Sequence, residues 1–235
     1  MNYMEIYEKS MPPSKRNEEK FNLWVAWVVR PLSIIGTIPF LRSNIKPITI
    51  TFISILCSII GFVFLAFGQT LTYRLIGWFL FFLWAILDGV DGNLARCTNK
   101  TSNLGGLWDA TGGYTAIVLI YFSAGIAAFF DLNMFKLAET YVWIILGGLT
   151  SVFTIFPRLI MHKKASYQTE ALKIADKNKF GLKQIIAMNF VSGSGFLQVI
   201  LLIAILSHTL NLFILIYFIL NSIIMILSLY KLLKE

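Results

Sequence analysis

The sequence predicts an all-α integral membrane protein with six transmembrane helices, preceded by an N-terminal interfacial amphipathic helix. Of the 235 residues, 57% are hydrophobic and only 14% are charged. This composition is typical of a polytopic membrane protein and not of a soluble domain. The net charge of +8 is explained by cytoplasmic loops rich in Lys and Arg that face anionic lipid, so no nucleic-acid partner is predicted.

The N-terminal segment is predicted to lie on the membrane surface. The first 20 residues are polar and of mixed charge, which excludes a secretory signal peptide. Residues 21–41 are mainly apolar, but they contain Arg30 and are interrupted by Pro31 and Pro39. These interruptions favour an interfacial amphipathic helix, and a short first span is the alternative.

Six apolar runs follow, each long enough to cross a bilayer. They divide the chain into a cytoplasmic N-terminal segment at residues 1–46 and a six-helix membrane domain at residues 47–235. The small residues Ser192-Gly-Ser-Gly195 interrupt the fifth run, which favours close helix packing there, and a widened cavity is the alternative. The approximate limits of the runs are 47–67, 72–94, 106–130, 140–161, 182–207 and 210–230.

The distribution of positive charge predicts that both termini are cytoplasmic. With the N-terminus inside, only Arg74 and Lys136 of the 20 Lys and Arg residues lie outside. A site at the ends of the second and third runs then lies near the cytoplasmic face. The compact length favours a prokaryotic cell membrane.

Three aspartates stand at the ends of two predicted spans. Asp88 and Asp91 close the second run, and Asp109 opens the third. Acidic side chains beside a span are costly unless they meet a cation, a partner charge or water. At 100° per residue Asp88 and Asp91 share one helix face, and Asp109 shares a face with Gly105. Carboxylate oxygens suit Mg²⁺, Mn²⁺ or Ca²⁺, and Mg²⁺ usually completes its shell with water and substrate phosphates.

The motif that contains these aspartates resembles a known signature. The pattern Asp-x2-Asp-Gly-x2-Ala-Arg, eight residues, then Gly-x3-Asp is similar to that of the CDP-alcohol phosphotransferase family. Pro47 and Thr51 also resemble the Pro-Asn-x2-Thr at the start of that family's first span, with Ile48 in place of Asn. The resemblance implies a six-span, homodimeric enzyme of phospholipid or related lipid synthesis. Such an enzyme transfers a substituted phosphate from a CDP-linked donor to an alcohol acceptor and releases CMP.

The chain departs from the family signature at one position. The signature ends Asp-x3-Asp, and its last Asp is taken to be a metal ligand and the base that activates the acceptor hydroxyl. Gly113 occupies that position here. The resemblance therefore implies binding of metal and of the CDP-linked donor, and it leaves the catalytic residue unassigned.

The predicted site residues fall into three groups. The metal ligands, for one or two Mg²⁺ or Mn²⁺ ions, are Asp88, Asp91 and Asp109. The residues expected to bind the CDP-linked donor are Thr51, Gly92, Ala95, Arg96 and Gly105. In the basic stretch after the fourth span, the candidates for binding a phosphate of acceptor or donor are Arg158 and Lys163, and the alternative for this stretch is binding of lipid headgroups.

Two other functions are compatible with the residues. A catalytically impaired relative would bind the CDP-linked donor and metal without turnover, which Gly113 motivates. A small cation-coupled transporter would use the three aspartates as an ion site. The glycines and alanine spaced around the acids count against a transporter, because a bare ion path does not require them.

Overall fold

The computed structural model describes residues 1–131, 141–167 and 189–234. Within these ranges all regular elements are helical and no strand forms, which confirms the predicted all-α class. A π-helical turn at Val25–Val29 leads directly into α3. The helices are α1 (Tyr3–Ser10), α2 (Pro13–Glu19), α3 (Arg30–Arg42), α4 (Pro47–Phe67), α5 (Leu71–Cys97), α6 (Asn103–Phe129), α7 (Val142–Tyr167), α8 (Leu197–Leu206) and α9 (Leu210–Leu233).

Six helical segments of the described chain are long and apolar enough to cross a membrane. Five of them correspond to predicted spans. The sixth is Val25–Arg42, which covers most of the segment that was predicted to be an interfacial helix. Its length and composition also fit the alternative prediction, a short first span. The predicted run 182–207 begins outside the described residues, and its described part contains α8, which has only 10 residues. The segments are Val25–Arg42, Pro47–Phe67, Leu71–Cys97, Asn103–Phe129, Val142–Met161 and Leu210–Leu233.

The chain separates into two compact units. The described residues of the first unit are Met1–Ile59, Phe79–Ala116 and 189–198. Within it, Ile6 of α1, Ile34 of α3 and Cys97 of α5 form a buried apolar cluster. Because α1 is too short to be stable alone, this burial, together with the capping box of Asn2 and Glu5, explains why the N-terminal segment folds.

A buried polar network joins α3 to α5 in the first unit. Arg30 forms a two-pronged ion pair with Glu19, and its Nη1 donates to Asn93 Oδ1 at 3.1 Å. Asn93 Nδ2 in turn donates to Ser33 Oγ and Thr37 Oγ1, both at 3.3 Å. The network satisfies an arginine inside an apolar segment, which would otherwise be costly.

The second unit contains the described residues Ile60–Trp78, 117–131, 141–167 and 199–234. In this unit α7 packs against α9, and α6 approaches α7 closely at two glycines. A Cβ built on Gly125 would lie 2.8 Å from the Cα of Gly147. Small residues allow such close helix packing in membranes.

A buried ion pair closes one end of the second unit. Arg74 and Asp131 are each 4% exposed, and Arg74 Nη1 lies 3.4 Å from Asp131 Oδ1. His208 Nδ1 lies 3.3 Å from the same oxygen. The sequence identified Arg74 only as a charge on the outer side of the membrane. The structure adds a partner for it that no local pattern indicates.

Candidate functional site

A cavity of about 550 Å³ lies within the first unit and brings together both halves of the aspartate motif. We call it the main cavity. Helix α5 supplies Asp88 and Asp91, and α6 supplies Asp109. Helix α5 ends at Cys97 and α6 begins at Asn103, so a short connection turns the chain back and places the acids of the two helices at one cavity.

The residues predicted to bind the CDP-linked donor line the same cavity. They come from α4, α5 and α6, and the structure therefore places them together with the three aspartates. Their roles in binding remain predictions. The residues are Thr51, Gly92, Ala95, Arg96 and Gly105.

Hydrogen bonding fixes one of the aspartates. Thr51 Oγ1 donates to Asp91 Oδ2 at 2.5 Å, and both side chains are buried. One carboxylate oxygen of Asp91 is thereby held by α4. The three acids differ in surroundings, because Asp88 is half-buried and Asp109 is exposed.

Arg96 keeps hydrogen-bonding capacity for a ligand. Its Nε is buried and has no hydrogen-bond partner, and its Nη2 reaches Asn93 Oδ1 only at 3.5 Å. A Cβ on Gly92 would lie 3.0 Å from Arg96 Nη2, so the glycine leaves the space that the guanidinium occupies. A guanidinium with free donors beside a cavity suits a phosphate.

The donor atoms of the main cavity suit a divalent cation. Three carboxylates line it, and hard oxygen ligands are those that Mg²⁺ and Mn²⁺ prefer. Among the described residues, however, no three acidic, His or Cys side chains are gathered closely enough to hold one ion together. The cavity therefore fits the predicted cation by the chemistry of its donors, without a preformed ligand geometry.

Four basic residues of the main cavity were not singled out from the sequence as site residues. They are Lys15, Arg30, Lys46 and Lys100. Burial, followed by the charges of Arg30 and Arg96, lowers the pKa of Lys15 from 10.5 to about 8. Arg30 alone gave a signal in the sequence, since it stands inside an apolar run. The others lie in polar segments that have no pattern pointing to a site.

The structure does not test the roles of the two predicted phosphate ligands, Arg158 and Lys163. Arg158 lies on α7 and belongs to the second unit. The side chain of Lys163 lies outside the described part of the chain. Gly113 is on α6, one turn after Asp109, and a Cβ built there would meet nothing within 4 Å beyond its chain neighbours and the local backbone of its own helix.

The chain matches a known family over most of its length. The sequence profile described as CDP-alcohol phosphatidyltransferase matches residues 44–233, which is most of the chain. A search of curated proteins found no match. The family transfers a phosphate-linked alcohol from a CDP-alcohol to an acceptor alcohol, and many members depend on a divalent metal. On this match, the chain belongs to the CDP-alcohol phosphatidyltransferase family.

Proposed function

We propose that this protein transfers a substituted phosphate from a CDP-linked donor, CDP-diacylglycerol or a CDP-alcohol, to an alcohol acceptor in phospholipid or related lipid synthesis. The observation that supports this most strongly is the meeting of Asp88, Asp91 and Asp109 with Arg96 at one cavity. These acids and this arginine belong to the motif that resembles the family signature.

Each residue of the cavity has a distinct part in the proposal. Asp88, Asp91 and Asp109 hold one or two Mg²⁺ or Mn²⁺ ions. When bound, such ions neutralise the diphosphate and the charge that develops on departing CMP. Thr51 orients the Asp91 carboxylate, and Arg96 donates hydrogen bonds to a phosphate of the donor.

The proposed transfer is a displacement at phosphorus. The acceptor oxygen bonds to the phosphorus that carries the donor's alcohol, and the bond from that phosphorus to the bridging oxygen breaks. CMP leaves with the bridging oxygen. The hydroxyl proton passes to a phosphate oxygen of the substrate, because the family's carboxylate at position 113 is absent here.

In the proposed orientation the main cavity lies near the cytoplasmic face, and both termini are in the cytoplasm. The asymmetry of Lys and Arg along the sequence supports this orientation. Membrane lipids and, from the family resemblance, a second copy of the chain are the proposed partners. Chemical crosslinking in native membranes would detect a homodimer, and labelling of engineered cysteines at either terminus would determine their side.

Release of CMP by purified protein tests the activity. We would supply CDP-diacylglycerol or CDP-linked small alcohols, a mixture of acceptors, and Mg²⁺ or Mn²⁺. Asp91→Asn should lower turnover on the order of 100-fold or more, since it removes a proposed metal ligand. Glu8→Gln, which changes an exposed acid of α1, is the matched control. Unchanged metal-dependent CDP binding in the Asp88, Asp91 and Asp109 variants would contradict the proposal.

Gly113 supports a second candidate, a family member that binds donor and metal without turnover. The open space around this glycine means that Gly113→Asp introduces a carboxylate one turn from Asp109 without a clash at Cβ. Turnover only in Gly113→Asp would favour the silent relative. Turnover by the unaltered chain would exclude it and would show that a base other than a carboxylate at position 113 accepts the proton.

A further inference from the structure

A second cavity of about 330 Å³ adjoins the main one within the first unit. The two cavities share Lys15, Arg30, Asp88 and Gly89 in their linings. Because Asp88 faces both, a molecule in the second cavity would lie next to the carboxylates that we assign to the donor diphosphate and its metal. Nothing in the proposed function so far occupies this space.

Most of the second cavity's wall comes from the N-terminal segment. The family match begins at residue 44, so this wall lies outside the part of the chain that the family shares. The opposite side is formed by α5 and by Ser192 and Ser194 of the turn before α8. The N-terminal residues that line the cavity are Lys15, Glu19, Asn22, Val25, Val29 and Arg30.

The N-terminal wall is held firmly in place. Asn189 Nδ2 donates to the carbonyl of Phe21 at 2.6 Å, and Asn189 Oδ1 accepts from the backbone N–H of Leu23 at 3.0 Å. The Trp24 ring lies 6.2 Å from Phe196, centroid to centroid. These contacts join the wall to the turn that carries the two serines, so the cavity has a defined shape.

The charged lining of the second cavity consists of Lys15, Arg30, Glu19 and Asp88. Glu19 is committed to Arg30 through both carboxylate oxygens, and it lies 3.8 Å from Lys15 Nζ, which is longer than a hydrogen bond. With Asp88 assigned to the metal, Lys15 and Arg30 carry two positive charges and Glu19 carries one negative charge, so the lining has one positive charge in excess. This excess, with two serine hydroxyls, suits an anionic and hydroxylated ligand.

We propose that the second cavity binds the acceptor, and that the acceptor is a small hydrophilic alcohol carrying an anionic group. Lys15 holds the anion beside the Arg30–Glu19 ion pair, and Ser192 and Ser194 bind hydroxyls of the same molecule. This inference rests on the proposed transferase function and adds the chemical class of the acceptor. In this inference the N-terminal segment, which precedes the residues matched by the family profile, selects the acceptor.

Paired probes test the charge of the acceptor. Isothermal titration calorimetry of the full chain in nanodiscs, with saturating CDP and Mg²⁺, would compare glycerol phosphate with glycerol and inositol phosphate with inositol. Glycerate replaces the phosphate by a carboxylate. We expect at least one anionic probe to bind roughly tenfold more tightly than its neutral partner, as charge-assisted hydrogen bonds do. The inference is overturned when no anionic probe binds more tightly than its neutral partner.

Variants test the location. Lys15→Gln should weaken the binding of the anionic probe roughly tenfold, Lys15→Arg should retain it, and Lys9→Gln, an exposed lysine of α1 outside both cavities, should have no effect. Ser194→Leu fills only the second cavity, so it should abolish probe binding and leave CDP affinity unchanged. Probe binding that survives both Lys15→Gln and Ser194→Leu would refute this placement. Failure of the unaltered chain to bind CDP would instead refute the proposed function itself.

Discussion

Thr51 on α4 and Asp91 on α5 are joined by a hydrogen bond of 2.5 Å in which the hydroxyl donates to Oδ2. The contact is buried, and it links two spans at the edge of the main cavity. A hydroxyl that holds one oxygen of a carboxylate restricts its rotation and leaves the other oxygen for a ligand. Partners of this kind typically affect metal affinity strongly although they do not touch the metal.

Thr51→Val should therefore weaken Mg²⁺-dependent CDP binding by about 10- to 100-fold. Valine keeps the shape of threonine but cannot donate the hydrogen bond. Thr51→Ser should retain most of the affinity. Titration of CDP at fixed Mg²⁺ measures the effect, with Thr49→Val, an exposed position of α4, as the control. Equal affinities in Thr51→Val and the unaltered protein would mean that Asp91 needs no orientation.

Asn93→Ala should destabilise the first unit by about 1–3 kcal/mol, because it leaves buried polar groups without partners. Asn93 accepts from Arg30 and donates to Ser33 and Thr37. Thermal unfolding in detergent, followed by tryptophan fluorescence, gives the comparison. Asn17→Ala, at an exposed position of α2, should change stability little. An Asn93→Ala variant that is as stable as Asn17→Ala and the unaltered protein would show that the network is dispensable.

The Arg74–Asp131 pair yields a prediction about stability alone. Asp131→Asn leaves a buried arginine without its counter-charge and should cost about 3–5 kcal/mol of unfolding free energy. Replacing both partners, as Arg74→Met with Asp131→Leu, should recover most of that loss. Chemical denaturation in mild detergent measures each variant. His208→Asn, which alters the half-buried neighbour, should have a minor effect. A loss as large as that of Asp131→Asn would show that the contact of Asp131 with His208 matters as much as its ion pair with Arg74.

Lys15 should produce a pH-dependent contribution to stability. Its pKa in the folded protein is about 8, below the usual 10.5, so between these values the unfolded chain binds more protons than the folded chain. The contribution of Lys15 to the free energy of unfolding therefore rises as the pH increases through this window. The charged groups that affect or face Lys15 are Arg30, Arg96, Glu19, Asp88 and Asp109.

Comparing the pH dependence of unfolding for Lys15→Gln and for the unaltered chain isolates this contribution. The variant should lack the rise between pH 8 and 10.5, while Lys9→Gln keeps it. The same titration should weaken binding of an anionic acceptor above pH 8, because Lys15 then becomes neutral. Anion affinity that stays constant to pH 10 would show that Lys15 contributes no charge to binding.

The sequence predicted the spans and the aspartate cluster for simple physical reasons. Apolar length determines a span, and helical periodicity places Asp88 and Asp91 on one face. Helix ends were less predictable. Helix α5 continues to Cys97 and α6 begins at Asn103, beyond the predicted limits of 94 and 106, because polar residues remain helical after the apolar stretch has ended.

The contributions of Lys15 and Arg74 could not be predicted in the same way. Lys15 reaches the cavities only because the N-terminal segment folds onto α5 and the turn before α8. Arg74 meets Asp131 from a distant part of the sequence. Each residue alone resembles an ordinary charge of a membrane protein, and its role depends on tertiary contacts that leave no periodic signal.

The two hydrogen bonds that Asn189 forms with the N-terminal segment also have a consequence for biosynthesis. Asn189 binds the backbone of Phe21 and Leu23 across sequence separations of 168 and 166 residues. A nascent chain that has inserted its first spans already contains the three aspartates, and its α1 and α3 can already pack on α5. The backbone of Phe21 and Leu23, however, cannot form these two hydrogen bonds until Asn189 leaves the ribosome. Completion of the second cavity is therefore a late step of synthesis, and a chain arrested before Asn189 would contain the three aspartates without the complete second cavity beside them.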